Sequence, residues 1–142
     1  MVAFVVHIFV QISVKIGRVS TAILLAYVGH PRNFSSSGAY LKMMGLNLKE
    51  YSSGTKQSGL HITKRGHGKP RMHLCLATLR CLMSDEVFKA CFEKHTPVTT
   101  SGRRKGSVST IIAMMRKLVR GLWHCANYDV AFNSEQLFDT RR

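Results

Sequence analysis

Apolar positions along this chain recur mostly at helical spacing. The clearest case runs from Ser107 to Ala126, where Val108, Ile111, Ile112, Met115, Leu118, Val119, Leu122, Trp123 and Ala126 mark one stripe and predict a long helix. Arg116, Lys117 and Arg120 form a basic edge opposite that stripe. From Lys69 to about Met83 a second helix is expected, with Met72, Cys75, Leu76, Leu79, Leu82 and Met83 as its buried face and Arg80 and His73 off it. Val19 to Val28 reads as a buried helix: Ser20 or Thr21 caps its start, Gly29 suits the left-handed position after its end, and Pro31 blocks continuation. Ser35 is a candidate cap for a short helix over Ser36 to Met44, stopped at Gly45. Ser84-Asp85-Glu86 supplies a cap and an acidic first turn for a helix through Val87, Phe88, Cys91 and Phe92. The expected fold is mainly α: a small domain of four to six helices around one core.

Two stretches break the rhythm. From Asn47 to Arg71, Gly54, Gly59, Gly66 and Gly68 are interleaved with Lys49, Lys56, Lys64, Arg65, Lys69 and Arg71, and apolar residues are sparse. This predicts a long glycine-rich basic loop between helices, with a short hairpin through Leu60-His61-Ile62-Thr63; loops of that length in compact domains are functional or disordered. Met1 to Ile12, MVAFVVHIFVQI, is apolar apart from His7 and Gln11. It is too short for a membrane span, which needs about 20 residues, and it lacks the basic start and cleavage site of a signal peptide. It reads as a leader, with a membrane anchor as the minority reading. Thr96 to Lys105 reads as a polar linker carrying Arg103, Arg104 and Lys105, and 127–142 as a tail that packs Phe132, Leu137 and Phe138 loosely. The expected organisation is a leader over 1–14, a domain over 15–126 and the tail over 127–142.

Charge narrows the function classes. Lys and Arg total 21 against 7 Asp and Glu, a net +14 at pH 7. Such a balance points to a polyanionic partner, nucleic acid before an anionic membrane, and argues against an enzyme that gathers metals with many carboxylates of its own. Cys75, Cys81, Cys91 and Cys125 include no C-x-x-C pair, so neither a zinc ribbon nor a redox motif is suggested. His73 with Cys75, Cys91 with His95, and His124 with Cys125 are the pairs from which a zinc site would have to be assembled. Reduced thiols in helical cores are the favoured reading. Lys15-Ile16-Gly17-Arg18 forms a basic turn before a helix, which can offer backbone N–H groups to a phosphate, although an ordinary loop is favoured.

The most informative chemistry lies in Gly45-Leu46-Asn47-Leu48-Lys49-Glu50-Tyr51-Ser52-Ser53-Gly54-Thr55-Lys56. A serine before glycine among cations can bind phosphate, or can attack a phosphodiester while the cations stabilise charge on the phosphoryl oxygens. From residue types alone, the turn or phosphate-contact role is favoured. The order of motifs adds to this. Gly45 to Glu50, Ser52-Ser53-Gly54, Ile62-Thr63-Lys64-Arg65-Gly66 and Arg71 resemble the C-terminal half of transposases of the insertion-sequence 110/116/902 type. Ile16-Gly17-Arg18-Val19-Ser20-Thr21-Ala22 resembles the end of that family's "PGIG…TA" hairpin, and Phe34 to Leu46 its "F-x-S-x-x-A-Y…GLN" stretch. Arg116-Lys117-Leu118 with Leu122-Trp123 resembles its late "RKL…LW" helix, and Leu137-Phe138-Asp139 its tail.

The resemblance implies DNA transposition, with Ser53 as the nucleophile on DNA and Ser52 as the alternative. It implies Lys56, Lys64, Arg65, Lys69 and Arg71 as nucleic-acid contacts, joined by the α-helical edge of Arg116, Lys117 and Arg120. Partners implied are DNA, a structured guide RNA in some members, and the full-length transposase or further copies of the chain in a multimer, with no membrane. The compartment implied is the bacterial cytoplasm, in association with the nucleoid. A divalent metal, Mg, is expected only in an acidic N-terminal RNase-H-like domain, with no metal or cofactor in this chain. The resemblance stops upstream of Lys15; Val14 and Lys15 stand where the family has Pro and Gly, and Ser58 where glycine is common. The expectation is an N-terminally truncated copy, inactive alone, and the alternative is a basic nucleic-acid-binding module without catalysis.

Overall fold

A computed structural model describes residues 16–53 and 56–138, with the backbone alone for 51–53 and 56–60. The leader over 1–14 and the end of the tail, 139–142, lie outside the described residues. Among the described residues six helices and one hairpin follow in chain order: α1 Arg18–Val28, α2 Ser37–Met43, β1 Leu48–Ser53, β2 Lys56–Ile62, α3 Gly68–Ser84, α4 Glu86–His95, α5 Ser107–Tyr128 and α6 Ser134–Phe138. A single 3-10 turn, Pro31–Asn33, joins α1 to α2. The mainly α expectation holds. Among the described residues no helix is long and apolar enough to cross a membrane.

Local chemistry sets the helix ends. Ser36, one residue after the expected cap, accepts a hydrogen bond from Ala39 N–H at 3.1 Å and starts α2. Asp85 accepts from Val87 N–H at 3.0 Å and starts α4, as the Ser-Asp-Glu sequence suggested. α1 starts differently from its expected cap. Its N-cap is Gly17, at φ 87°, while Thr21 sits inside the helix and returns its hydroxyl to the Gly17 carbonyl at 2.9 Å. Gly29 ends α1 at φ 91°.

α5 is the axis on which α2, α3, α4 and α6 pack. Met114, Met115, Leu118, Val119, Leu122, Cys125 and Ala126 are its buried residues, so the predicted stripe has the right phase while Val108 at its start is exposed. Tyr40, Leu41, Met44 and Leu46 close the core from the α2 side, and Phe88 from α4. The tail is better seated than expected. Phe138 meets Phe88 edge-on at 4.7 Å between ring centres, and Leu137 and Phe132 lie over Gly121, where a Cβ would stand 2.9 Å from Leu137 Cδ1.

The predicted face of α3 is the clearest correction. Its buried residues are Pro70, Leu74, Ala77, Thr78 and Cys81, whereas Met72, Leu76, Leu79 and Met83 are exposed. Both sets repeat at helical spacing, and the core takes the set with the smaller side chains. α1 lies against α3, and Ala77, Thr78 and Cys81 let the neighbouring helices approach closely; Thr78 satisfies its hydroxyl on the Leu74 carbonyl at 2.9 Å.

The expected long loop is mostly an antiparallel hairpin. β1 and β2 pair from Leu48↔Ile62 to Ser53↔Lys56, with a bulge where Glu50 opposes Leu60 and Tyr51 opposes Ser58. Gly59 is the extra residue at that bulge, a place where strand glycines are common. The expected polar linker over 96–105 is also ordered by its own bonds. Thr99 N–H donates to the Arg103 carbonyl at 2.8 Å, and Val98 bridges Arg104.

Candidate nucleic-acid interface

Several of the sequence-predicted residues meet at the root of the hairpin. Gly45 and Gly66, both at positive φ (68° and 96°), bring two backbone turns into contact. A Cβ on Gly45 would lie 2.0 Å from the Arg65 carbonyl oxygen, and one on Gly66 would lie 2.7 Å from that of Met43. Only glycine permits this approach. Lys64 N–H donates to the Gly45 carbonyl at 3.0 Å and Thr63 N–H to that of Asn47 at 2.8 Å, which continues the ladder below Leu48↔Ile62. Arg71 Nη1 reaches the Met44 and Gly66 carbonyls at 3.5 and 3.4 Å. Arg71 therefore clasps this knuckle from the first turn of α3, a positioning task that residue type alone did not reveal.

The knuckle fixes the exposed basic run beside it. Lys64, at φ 51°, and Arg65 are exposed. Lys69, the second residue of α3, extends its ammonium to 5.7 Å from the Tyr27 ring, which in turn meets His67 edge-on at 5.5 Å. At the other end of the hairpin, Ser53 pairs with Lys56 and Ser52 with Gln57, so the candidate nucleophile and a candidate phosphate contact are cross-strand neighbours beside the turn.

The three basic residues of α5 point to different tasks. Arg116 faces a groove of about 910 Å³ between the hairpin and the first half of α5, together with Lys64, His61, Thr63, Ser107 and Ser109. Among the described residues no carboxylate lines it. The Arg116 Nε is buried without a hydrogen-bond partner, and burial, followed by the Arg120 guanidinium, holds this side chain below the usual guanidinium range. A guanidinium in that position favours an anion that would restore its screening. α5 begins at Gly106 in the left-handed region without a side-chain cap; Ser109 instead turns its hydroxyl to the Gly106 carbonyl at 2.8 Å. The amides of its first turn thus open on the same groove as Lys64 and Arg116. Lys117 turns away, its ammonium 5.2 Å from the Phe138 ring. Arg120 lines a separate cavity of about 370 Å³ with Trp123, His124 and Phe132.

The structure therefore joins Lys64 to Arg116 across one groove and leaves Lys117 outside it. Sequence reading missed His61, Thr63, Ser107 and Ser109, which are ordinary loop and strand residues until the hairpin is laid beside α5. Arg104, from the basic 103–105 run, is engaged elsewhere: it donates to the Thr96 carbonyl at 3.2 Å and lies 3.7 Å from Glu93.

Two of the four thiols sit in surroundings that disfavour the thiolate. Burial pushes both Cys91 and Cys125 above the ordinary thiol range. Cys91 and His95 stand 3.9 Å apart, with the His95 ring N–H on the Cys91 carbonyl at 2.8 Å. Among the described residues, no three His, Cys, Asp or Glu side chains gather as a metal site would require.

A family model described as "Transposase IS116/IS110/IS902 family" matches residues 13–93, from just before α1 into α4, and includes the hairpin and the whole glycine knuckle. No curated protein matches the chain.

Proposed function

The chain belongs to the IS116/IS110/IS902 transposase family, and from that premise we propose that it serves in DNA transposition as the DNA-binding, serine-bearing C-terminal domain. In this reading the groove between the hairpin and α5 receives the phosphate backbone. Lys64 and Arg116 neutralise phosphates there, Arg65, Lys69 and Lys56 extend the contact, and Arg71 and the two glycines hold the groove's edge in place. Ser53 is the nucleophile, with Ser52 the alternative: its oxygen bonds to phosphorus, its proton leaves, and the displaced sugar hydroxyl carries the other strand end. The observation that carries the binding part is a groove that, among the described residues, is lined by Lys64 and Arg116 without a carboxylate and holds an Arg116 Nε with no hydrogen-bond partner.

Three carboxylates among the described residues already have partners within the fold. Asp85 caps α4, Asp129 pairs with Arg32, and Glu93 lies beside Arg104. The Mg expected in the family belongs with carboxylates outside these 142 residues, and strand cleavage by this chain alone is not expected. A guide RNA and further copies of the chain are partners consistent with the same basic surface.

A salt titration of DNA binding tests the groove. Affinity should fall steeply with salt, and Arg116→Gln should flatten the log–log slope by about one phosphate equivalent. An unchanged slope in Arg116→Gln would remove the groove from the interface. For the chemistry, the acidic domain supplied separately should yield a covalent protein–DNA adduct that Ser53→Ala abolishes. Binding with no adduct under those conditions favours the reading without catalysis.

A further inference from the structure

The second half of α5 carries a cavity that the groove does not use. It measures about 370 Å³ and lies between the helix and the tail segment folded over it, with Arg120, Trp123 and His124 on one side and Phe132, Asn133 and Gln136 on the other. Gly121 lets the tail lie this close: a Cβ there would meet Leu137 Cδ1 at 2.9 Å and Phe132 Cε2 at 3.4 Å. Among the described residues no carboxylate lines the cavity. Trp123 is held by its Nε1–H, which donates to the Phe34 carbonyl at 3.1 Å. Its one polar atom is thus satisfied within the fold, so it meets the cavity as an apolar ring. His124 beside it is exposed and lies 4.6 Å, ring centre to ring centre, from Tyr128, itself 62% exposed. Asn133 accepts from the Glu135 and Gln136 amides at 2.8 and 3.4 Å through its side-chain oxygen, which leaves its NH2 group as a donor. Aromatic walls, a guanidinium and two carboxamides in a space of this size suit a flat, hydrogen-bonding group tethered to an anion.

We infer that this cavity takes an unpaired nucleobase of a strand whose phosphates run along the groove beside Arg116. The inference rests on the proposed nucleic-acid role and names the form the nucleic acid takes. Arg116 and Arg120 are separated by about 6 Å along the helix axis, and the Arg120 guanidinium is near enough to depress that of Arg116. A strand leaving the groove at Arg116 therefore reaches Arg120 within roughly two nucleotides at the rise of a stacked strand. A base in the cavity packs against the Trp123 and His124 rings and offers its edge to Asn133 and Gln136, while Arg120 screens the adjoining phosphate. A duplex does not fit this task, because its bases are paired and stacked, and only an extruded or unpaired one enters a pocket. An apolar side chain from a protein partner is the poorer occupant, since it would cover Arg120, Asn133 and Gln136 without bonding to them.

Trp123 is the chain's single tryptophan, so its fluorescence reports on this cavity in the intact, unlabelled protein. Oligothymidine should bind and quench it. An abasic strand of the same length should bind more weakly and leave the fluorescence unchanged. A blunt duplex of that length should bind, read by anisotropy, and also leave it unchanged. The double variant His124→Ala, Gln136→Ala, at two exposed positions, should weaken the single strand about tenfold and leave duplex affinity as it was. Oligouridine run in parallel tells RNA from DNA: quenching by either supports the inference, and the tighter of the two names the strand. Single-strand binding without quenching overturns the inference and leaves the groove standing, as does equal quenching by the abasic strand or the duplex. Equal quenching by free thymidine monophosphate makes the cavity a mononucleotide site and overturns it as well. Should the double variant fail to fold, the abasic comparison on the native chain decides in its place. If neither strand nor duplex binds at all, the inference falls together with the reading it rests on.

Discussion

α3 and α5 are the two longest helices, and their sequences look alike in apolar content, yet only α5 presented its core face legibly. On α5 the residues opposite the stripe are Arg116, Lys117 and Arg120, so the apolar arc has an edge. On α3 the residues opposite Met72, Leu76, Leu79 and Met83 are Leu74, Ala77, Thr78 and Cys81, and small or apolar groups there leave the arc without one. Periodicity identifies a buried face only when the other face is polar enough to be refused by the core. Where both faces qualify, side-chain volume decides: close helix packing favoured Ala77, Thr78 and Cys81 over four long side chains.

The largest test of that contrast uses three leucines. Leu74→Ala on α3 and Leu118→Ala on α5, both fully buried, should each cost about 2–5 kcal/mol in urea unfolding. Leu76→Ala, two residues from Leu74, should stay within about 0.5 kcal/mol of the native chain. A Leu76→Ala loss as large as that of Leu74→Ala would restore the face that the sequence pattern suggested.

The next test concerns how α3 begins. Its first turn is clasped by Arg71 at the glycine knuckle, whereas α5 begins uncapped at Gly106. Gly45→Ala forces a Cβ onto the Arg65 carbonyl at positive φ and should cost roughly 3 kcal/mol. Exchange protection should fall first at the hairpin root and the first turn of α3, with the middle of α5 affected least. Uniform loss along both helices would mean that the knuckle and α5 unfold as one unit.

That knuckle marks the limit of what the sequence disclosed. Gly45, Gly66 and Arg71 stood out as parts of recognisable motifs, but their joint task is a contact between segments about 20 residues apart. No local pattern encodes such a contact. The hairpin was expected only at Leu60-His61-Ile62-Thr63, and its greater length went unread for a related reason. Lys49, Glu50, Ser52, Ser53, Gln57, Ser58 and Gly59 give little alternation and few β-branched residues, and Gly59 at the bulge breaks what remains. Leu48 and Ile62 pair at its root, and Ile62 packs on the core. Helix ends with a side-chain cap, at Ser36 and Asp85, were readable within a residue because the cap chemistry is local. The groove was not readable at all, since Lys64 and Arg116 become neighbours only once the hairpin lies beside α5.

The smallest effect separates the far ends of the two helices. α3 ends at Ser84 on local bonds alone, Ser84 Oγ to the Arg80 carbonyl and Asp85 N–H to that of Cys81, but the end of α5 is pinned from a distance: Arg32 donates to the Ala126 carbonyl and pairs with Asp129, the left-handed residue after the helix. Next to Arg32, His30 accepts from the Arg32 N–H at 3.1 Å through Nδ1. Burial, then the Arg32 guanidinium, holds His30 below its ordinary value of 6.5. The unfolded chain takes up this proton near 6.5 and the folded chain resists it, so the unfolded state binds more protons in the window below 6.5. The contribution of His30 to stability is therefore full above that value and declines as pH falls toward the lowered one. Urea midpoints at pH 7.5 and 5.5 should differ more for the native chain than for His30→Gln, and the added exchange at acid pH should concentrate at residues 30–33 and the last turn of α5, not at the end of α3. The six other histidines are common to both proteins, so equal pH shifts in the two would assign the acid sensitivity to them and leave the pinned end of α5 without a titrating partner.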